Sequence, residues 1–213
     1  MIKSRPLIYS MSVVWMAFVL SLSIAVPILF RPFYYVHINA MELPEYSGYS
    51  YQEIKDAYDD MMDFCVYGQP FATGVMKYSE DGKSHFADVA VLFKIDLAVL
   101  AVTSVILIYT KVRKVSFMPV NGFSYRYWGS WLLMGAFGII GFLCALDFDA
   151  AFVTFHHIFF PGKTNWIFNS YYDEIIDVLP EEFFRNCAIA IIVLMMAICI
   201  ITIVRENRKL KVK

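Results

Sequence analysis

From Leu7 to Phe30 the chain is apolar, with no charged residue between Arg5 and Arg31, long enough to cross a hydrocarbon core with some tilt. Three further stretches follow. Val89 to Thr110 carries Lys94 and Asp96 near its start and then a clean apolar run from Leu97. Tyr127 to Leu146 holds glycines at 129, 135, 138 and 141, and Asn186 to Val204 is free of charge and ends in a basic tail. The pattern predicts an all-α membrane protein with four transmembrane helices, at about 7–30, 89–110, 127–146 and 186–204. Small residues let helix backbones approach closely in lipid, so the third span is expected to pack tightly against a neighbour. The first stretch is longer than the apolar core of a signal peptide and runs into Pro27, Phe33, Tyr34 and Tyr35, so it reads as an anchor.

The two long connections, 31–88 and 147–185, have a different pattern. Tyr51 to Val66 places Ile54, Ala57, Tyr58, Met61, Met62 and Cys65 at helical spacing with acids between them, which predicts one amphipathic helix. Gly68, Pro70 and Gly74 end it. Ser84 is a candidate cap for a helix starting at His85 and running into the second span. Pro161 and Gly162 form a turn, and Asp173 to Leu179 reads as a short helix before Pro180. These connections hold 23 of the 37 aromatic residues. Amphipathic rings favour the headgroup layer, so the two segments are expected to form a small aromatic-rich extracellular cap resting on the membrane. No repeat or second domain is visible, and residues 1–213 read as a single integral membrane domain.

Composition excludes several functions. With 59% hydrophobic and 17% charged residues, four spans leave no room for a large soluble catalytic domain. A net charge of −1 gives no reason to expect nucleic acid. The distribution of charge sets an orientation. Lys3, Arg5, Lys111, Arg113, Lys114, Arg126, Arg205, Arg208, Lys209, Lys211 and Lys213 make 11 of the 18 cations, all at the two termini and in the connection between the second and third spans. Cations concentrate on the cytoplasmic side. Both termini are therefore expected in the cytoplasm, and the outer segments carry 17 of the 19 acids and all four histidines.

Cys65, Cys144, Cys187 and Cys199 lack CxxC spacing, so neither metal nor redox use is supported. His37 stands alone among aromatics and reads as structural. His85 and Asp88 are more informative: positions i and i+3 share a helix face, so the carboxylate can hold one imidazole nitrogen and leave the other free as a base. His156 and His157 are adjacent and diverge by about 100° on a helix, so only one is expected to act. Asp149 lies close to the face of either. Two imidazoles at one interfacial site would serve acid–base chemistry, and two histidines with a carboxylate would suit a metal. No HExxH, GxSxG or phosphate loop is present.

Ser84-His85-Phe86-Ala87-Asp88-Val89 with Leu92 and Phe93, the run Phe155 to Gly162 (FHHIFFPG) with Trp166 and Phe168, and Ile175 to Phe184 (IIDVLPEEFF) together resemble the bacterial lipoprotein intramolecular transacylase family. The resemblance covers the whole chain and its four-span layout. It departs at Asn169 and Ser170, where the family usually has an acid and a proline. The family pattern F-H-x-x-F-F aligns its histidine with His156, and His157 occupies the variable place; both are carried as candidates.

The resemblance implies an enzyme of the bacterial cell membrane that acts on diacylated lipoproteins in contact with membrane lipid, at the extracellular interface. It would move the sn-2 acyl chain of a diacylglyceryl-cysteine to the α-amino group of the same N-terminal cysteine, with no metal or cofactor. His85, His156 and His157 are then the catalytic candidates, supported by Asp88 and Asp149, with Phe155, Phe160 and Trp166 against the substrate. His85 is assigned as base and one of the other two as acid, in roles that can be exchanged. A non-catalytic subunit with a partner-binding cap and a metal-dependent membrane hydrolase are the rival readings.

Overall fold

The computed structural model describes residues 5–211, which leaves Lys3 and Lys213 of the cation count outside the described residues. Eight α-helices follow one another: α1 (Arg5–Leu29), α2 (Pro32–Ala40), α3 (Leu43–Ser47), α4 (Tyr51–Tyr67), α5 (Glu80–Val112), α6 (Tyr125–Leu146), α7 (Phe148–Phe159) and α8 (Glu181–Lys211), with one 3-10 turn, Glu174–Asp177, before α8. No strand occurs among the described residues. Four helices are long and apolar enough to cross a membrane: α1, α5, α6 and α8. The chain is a membrane protein with four spanning helices. Its residues divide into two compact units, one made of 1–25, 96–146 and 189–213, the other of 26–95 and 147–188.

In the first unit, Ile8, Met11, Trp15, Val19, Leu107, Tyr125, Leu133, Met195 and Cys199 form the buried core. Two polar groups on α1 reach α6. The Ser12 hydroxyl donates to the Tyr125 carbonyl at 3.0 Å, and the Trp15 indole to Ser130 Oγ at 3.0 Å. Gly129 is what permits that approach: a Cβ there would stand 2.9 Å from the Ser12 carbonyl oxygen and 3.1 Å from the Trp15 ring. The expected tight packing of the third span is met at Gly129 and Gly141, while Gly135 faces open space. Val102, Val105, Ile108, Leu132, Ile139 and Phe142 remain exposed on the spans, apolar side chains of the sort that lipid covers.

The second unit is built on α4. Ser50 accepts from the Glu53 amide while the Glu53 carboxylate accepts from the Ser50 amide, a reciprocal cap that starts the helix. Its buried face is Ile54, Ala57, Tyr58, Met61, Met62 and Cys65, the face expected from the spacing. On its other side Asp59 and Asp63 hold Arg31, just before α2. Tyr58 stacks on Tyr34 of α2 with centroids 3.8 Å apart, and the Tyr34 hydroxyl donates to the Val178 carbonyl at 2.7 Å. His37 packs against Phe33 and Phe183, its Nδ1 2.6 Å from the Phe33 carbonyl.

Two helix starts differ from expectation. The second spanning helix begins at Glu80, not His85, and its cap is Ser79, whose hydroxyl accepts from the Gly82 amide at 3.0 Å. Ser79 is itself held by Asp173, which is buried and accepts from both the Ser79 amide and hydroxyl at 2.8 Å. Gly82 is the residue that allows this, since a Cβ would lie 2.2 Å from the nearer Asp173 oxygen. The last helix begins at Glu181, directly after Pro180, and the short helix expected over 173–179 is the 3-10 turn.

Candidate active site

All the histidine candidates lie in the second unit. Asp147 caps α7 by accepting from the Ala150 amide at 2.9 Å, and the helix carries His156 and His157 in its last turn. Only His156 points inward. It is buried, whereas His157 is exposed and touches the Trp166 ring edge-on at 5.6 Å. The His156 and His85 rings face each other with centroids 5.8 Å apart and planes 29° from parallel.

A backbone carbonyl can only accept, so the 2.8 Å contact between His156 Nδ1 and the Phe152 carbonyl places the proton on Nδ1. In the neutral ring Nε2 then carries a free lone pair. Burial pushes the His156 pKa below the ordinary imidazole value; the bond to Phe152 works in the opposite direction, and neighbouring His157 lowers it further.

His85 sits on the second turn of α5 with 5% of its surface exposed. Phe160 at 5.0 Å and Phe168 at 5.4 Å both meet its ring edge to face. Its Nδ1 is enclosed and has no hydrogen-bond partner among the described residues. Leaving such a group unmade costs about 1–3 kcal/mol, which marks this nitrogen as one that a ligand would satisfy.

The expected hold of Asp88 on His85 is not formed. The Asp88 carboxylate accepts from Lys163 Nζ at 2.5 Å and from Asn165 Nδ2 at 3.1 Å, and Asn165 also donates to Ser84 Oγ at 3.2 Å. An ammonium from the turn after α7 outcompetes an imidazole for the carboxylate, so Asp88 clips residues 161–166 onto α5. Asp149 is not brought to the histidines either; it is exposed and lies against the Glu181 carboxyl group.

The clipped segment carries the cover. Trp166 stacks on His156 at 4.6 Å and 29°, its indole nitrogen donating to the Lys163 carbonyl at 3.0 Å. Phe160 is buried against both imidazoles, 5.0 Å from His85 and 5.7 Å from His156, and Phe155, which is exposed, lies edge-on to His156 at 5.6 Å. Lys163 and Asn165 are not among the sequence candidates, and Phe168 enters there only as part of the family resemblance. The signal of the first two is a polar stretch, Lys163 to Asn165, between Phe160 and Trp166.

Among the described residues no three His, Cys, Asp or Glu side chains are grouped so as to hold a metal. Cys65 is a free, buried thiol donating to the Phe86 carbonyl, and burial pushes it up to about 12. The arrangement offers two facing imidazoles in an aromatic enclosure, one with a lone pair fixed in direction, the other with a nitrogen awaiting a partner.

A family model of Lit, the lipoprotein intramolecular transacylase, matches residues 9–184. The chain belongs to that family. It is thus a multi-pass membrane acyltransferase, as a Lit protein, with a lipoprotein as substrate. Solved structures of the membrane integral lipoprotein intramolecular transacylase Lit from Bacillus cereus have the same fold. One matches with a TM-score of 0.83 over 98% of each chain, at 24% identity. The same protein with an H85R mutation gives 0.76 over 97% of this chain and 92% of its own, and with an H85A mutation 0.78 over 97% and 93%, both at 24% identity. A search of curated proteins returned no match.

Proposed function

We propose that the chain moves the acyl group of the glyceryl sn-2 ester of a diacylglyceryl-cysteine lipoprotein to the α-amino group of that lipoprotein's own cysteine, with His156 as proton carrier and His85 as its partner. The observation that carries this reading is the Nδ1 bond of His156 to Phe152, which leaves Nε2 as a base beside His85. This reverses the roles first given to the two rings, because a nitrogen pinned as a donor on one side is free to accept on the other.

An α-amine has a pKa near 8 and is mostly protonated at neutral pH, so attack requires a base. The ammonium first releases one proton to water; the free amine nitrogen then bonds to the ester carbonyl carbon, and Nε2 of His156 takes the second proton, which that nitrogen sheds as the bond forms. The carbonyl oxygen becomes an oxyanion that His85 stabilises through a ring N–H, as positioned donors do in acyl transfer. Collapse breaks the bond to the glyceryl oxygen, which recovers the proton from His156 as a hydroxyl. The products are an amide and a lyso-glyceryl thioether, and the atoms balance with no covalent enzyme intermediate.

Amine and ester lie in one molecule and close a ring of about eight atoms, a step that gains from enforced orientation. Phe155, Phe160 and Trp166 are the surfaces suited to confine it. Both histidines are buried beneath Trp166, Phe160 and Phe168, so the substrate enters by displacing the segment that Asp88 holds through Lys163 and Asn165. Both termini face the cytoplasm and the histidines face the outer interface, a topology supported by the 11 cations at the termini and between Lys111 and Arg126. Tandem mass spectrometry of a lipoprotein N-terminal peptide, from cells with and without this chain, tests the proposal. An acyl group on the cysteine nitrogen with a free sn-2 hydroxyl is expected; an acyl group left on the glyceryl oxygen would overturn it.

A further inference from the structure

A second concavity lies in the first unit, where the beginnings of α1 and α6 meet the ends of α5 and α8. It has a volume of about 270 Å³ and is lined by Ile8, Lys111, Phe117, Arg126, Glu206 and Lys209, among others. That is below the range of drug-sized pockets and suits a small polar group. Glu206 is the one carboxylate in its lining, and its charge is taken by Lys209 at 2.8 Å. Lys111 and Arg126 have no carboxylate partner among the described residues. The Arg126 guanidinium lies over the Trp15 ring at 5.3 Å and the Tyr125 ring at 5.5 Å, and its Nε donates to the Tyr125 hydroxyl at 3.1 Å. The planar fork is thereby held in place with donors to spare.

A pair of uncompensated cations in a cavity that also presents Ile8, Val115 and Phe117, at the level where spanning helices end, matches a phosphate joined to hydrocarbon. We propose that this cavity binds the phosphate of an anionic phospholipid, with Arg126 and Lys111 as its ligands and Ile8 and Phe117 beside the first carbons of the lipid. An arginine fork suits two phosphate oxygens at once, and cations at a span end attract anionic lipid. A zwitterionic headgroup would bring its own cation toward Lys111 and Lys209, so the charge pattern selects a headgroup that carries none.

The test is native mass spectrometry of the full chain, purified after incubation in mixed phosphatidylglycerol and phosphatidylcholine. One phosphatidylglycerol retained per chain is expected. Arg126→Gln and Lys111→Gln should each lower its occupancy about fivefold, while Arg208→Gln, which removes an exposed cation outside the lining, should leave it unchanged. Lys111→Gln, at an exposed helix end, serves if Arg126→Gln does not fold. Equal retention of both lipids, or equal loss in the Arg208→Gln control, would overturn the site. Displacement of the lipid by millimolar inorganic phosphate would show a free-anion site instead and overturn the lipid assignment.

Discussion

His85 and His156 face each other ring to ring, at 5.8 Å between centroids, although one belongs to a spanning helix and the other to a short helix far along the chain. Neither touches a carboxylate. The pair is held by aromatic neighbours and one backbone carbonyl, so its chemistry rests on tautomer and burial more than on a charged third member.

Removing a positioned acid or base costs about 10²- to 10⁴-fold. His85→Ala and His156→Ala should each lose turnover by that order while inserting normally. The exposed His157 should tolerate alanine within about twofold, as surface substitutions do. Initial rates on a lipopeptide substrate check all three, and a large loss in His157→Ala with none in His156→Ala would exchange the assignment.

Asp88 separates two roles by magnitude. If it oriented His85 directly, Asp88→Asn should cost about 10⁴-fold, the order seen when a carboxylate fixing a catalytic imidazole is lost. A partly exposed ion pair is worth about 1 kcal/mol or less, so a clip to Lys163 predicts a loss under about tenfold. The same modest loss is expected for Lys163→Ala, with faster amide exchange across 161–168 in both variants.

Below the limb set by the substrate amine near 8, activity should fall a second time as pH drops, with a midpoint below the ordinary imidazole value of about 6.5, because burial disfavours protonated His156. The folded state then binds this proton less readily than the unfolded state. Stability is therefore present above the unfolded pKa and declines as pH falls through that range. A pH–rate profile of the wild type checks the midpoint, and His157→Ala should move it upward slightly, since His157 lowers the His156 pKa.

Gly82→Ala should lower the melting temperature, because its methyl group would stand 2.2 Å from an Asp173 oxygen that also holds the cap of α5. Overpacking of this kind costs about 1–3 kcal/mol. Gly135→Ala, with nothing within 4 Å, should be neutral or slightly stabilising by helix propensity. Thermal unfolding of the two variants in the same detergent makes the comparison.

Much of this architecture was legible from periodicity. The four apolar runs, the buried face of α4 and the single inward histidine of an adjacent pair all follow from side-chain spacing. What spacing could not supply was competition. The interval between His85 and Asp88 says that they share a face, and says nothing of Lys163 and Asn165 arriving from another segment to take the carboxylate. Ser84 looks like a cap until Asp173 draws Ser79 into that role. The helices α2 and α3 lie in a stretch where Phe33, Tyr34, Tyr35 and Tyr46 leave no clear polar face, so no period announces them. Asp149 was placed by helical register toward the histidines, but register within one helix does not tell which neighbour, here Glu181, lies against it.

The central claim is that the acyl chain passes directly between two groups of one lipoprotein, with histidines as the only proton carriers. Mixing two substrates tests it most directly, one labelled with heavy isotopes in the peptide and the other in the sn-2 acyl chain. Direct transfer predicts lyso products that each carry a single label. Products combining labelled peptide with labelled acyl chain would show that the acyl group leaves its own molecule and would contradict the account.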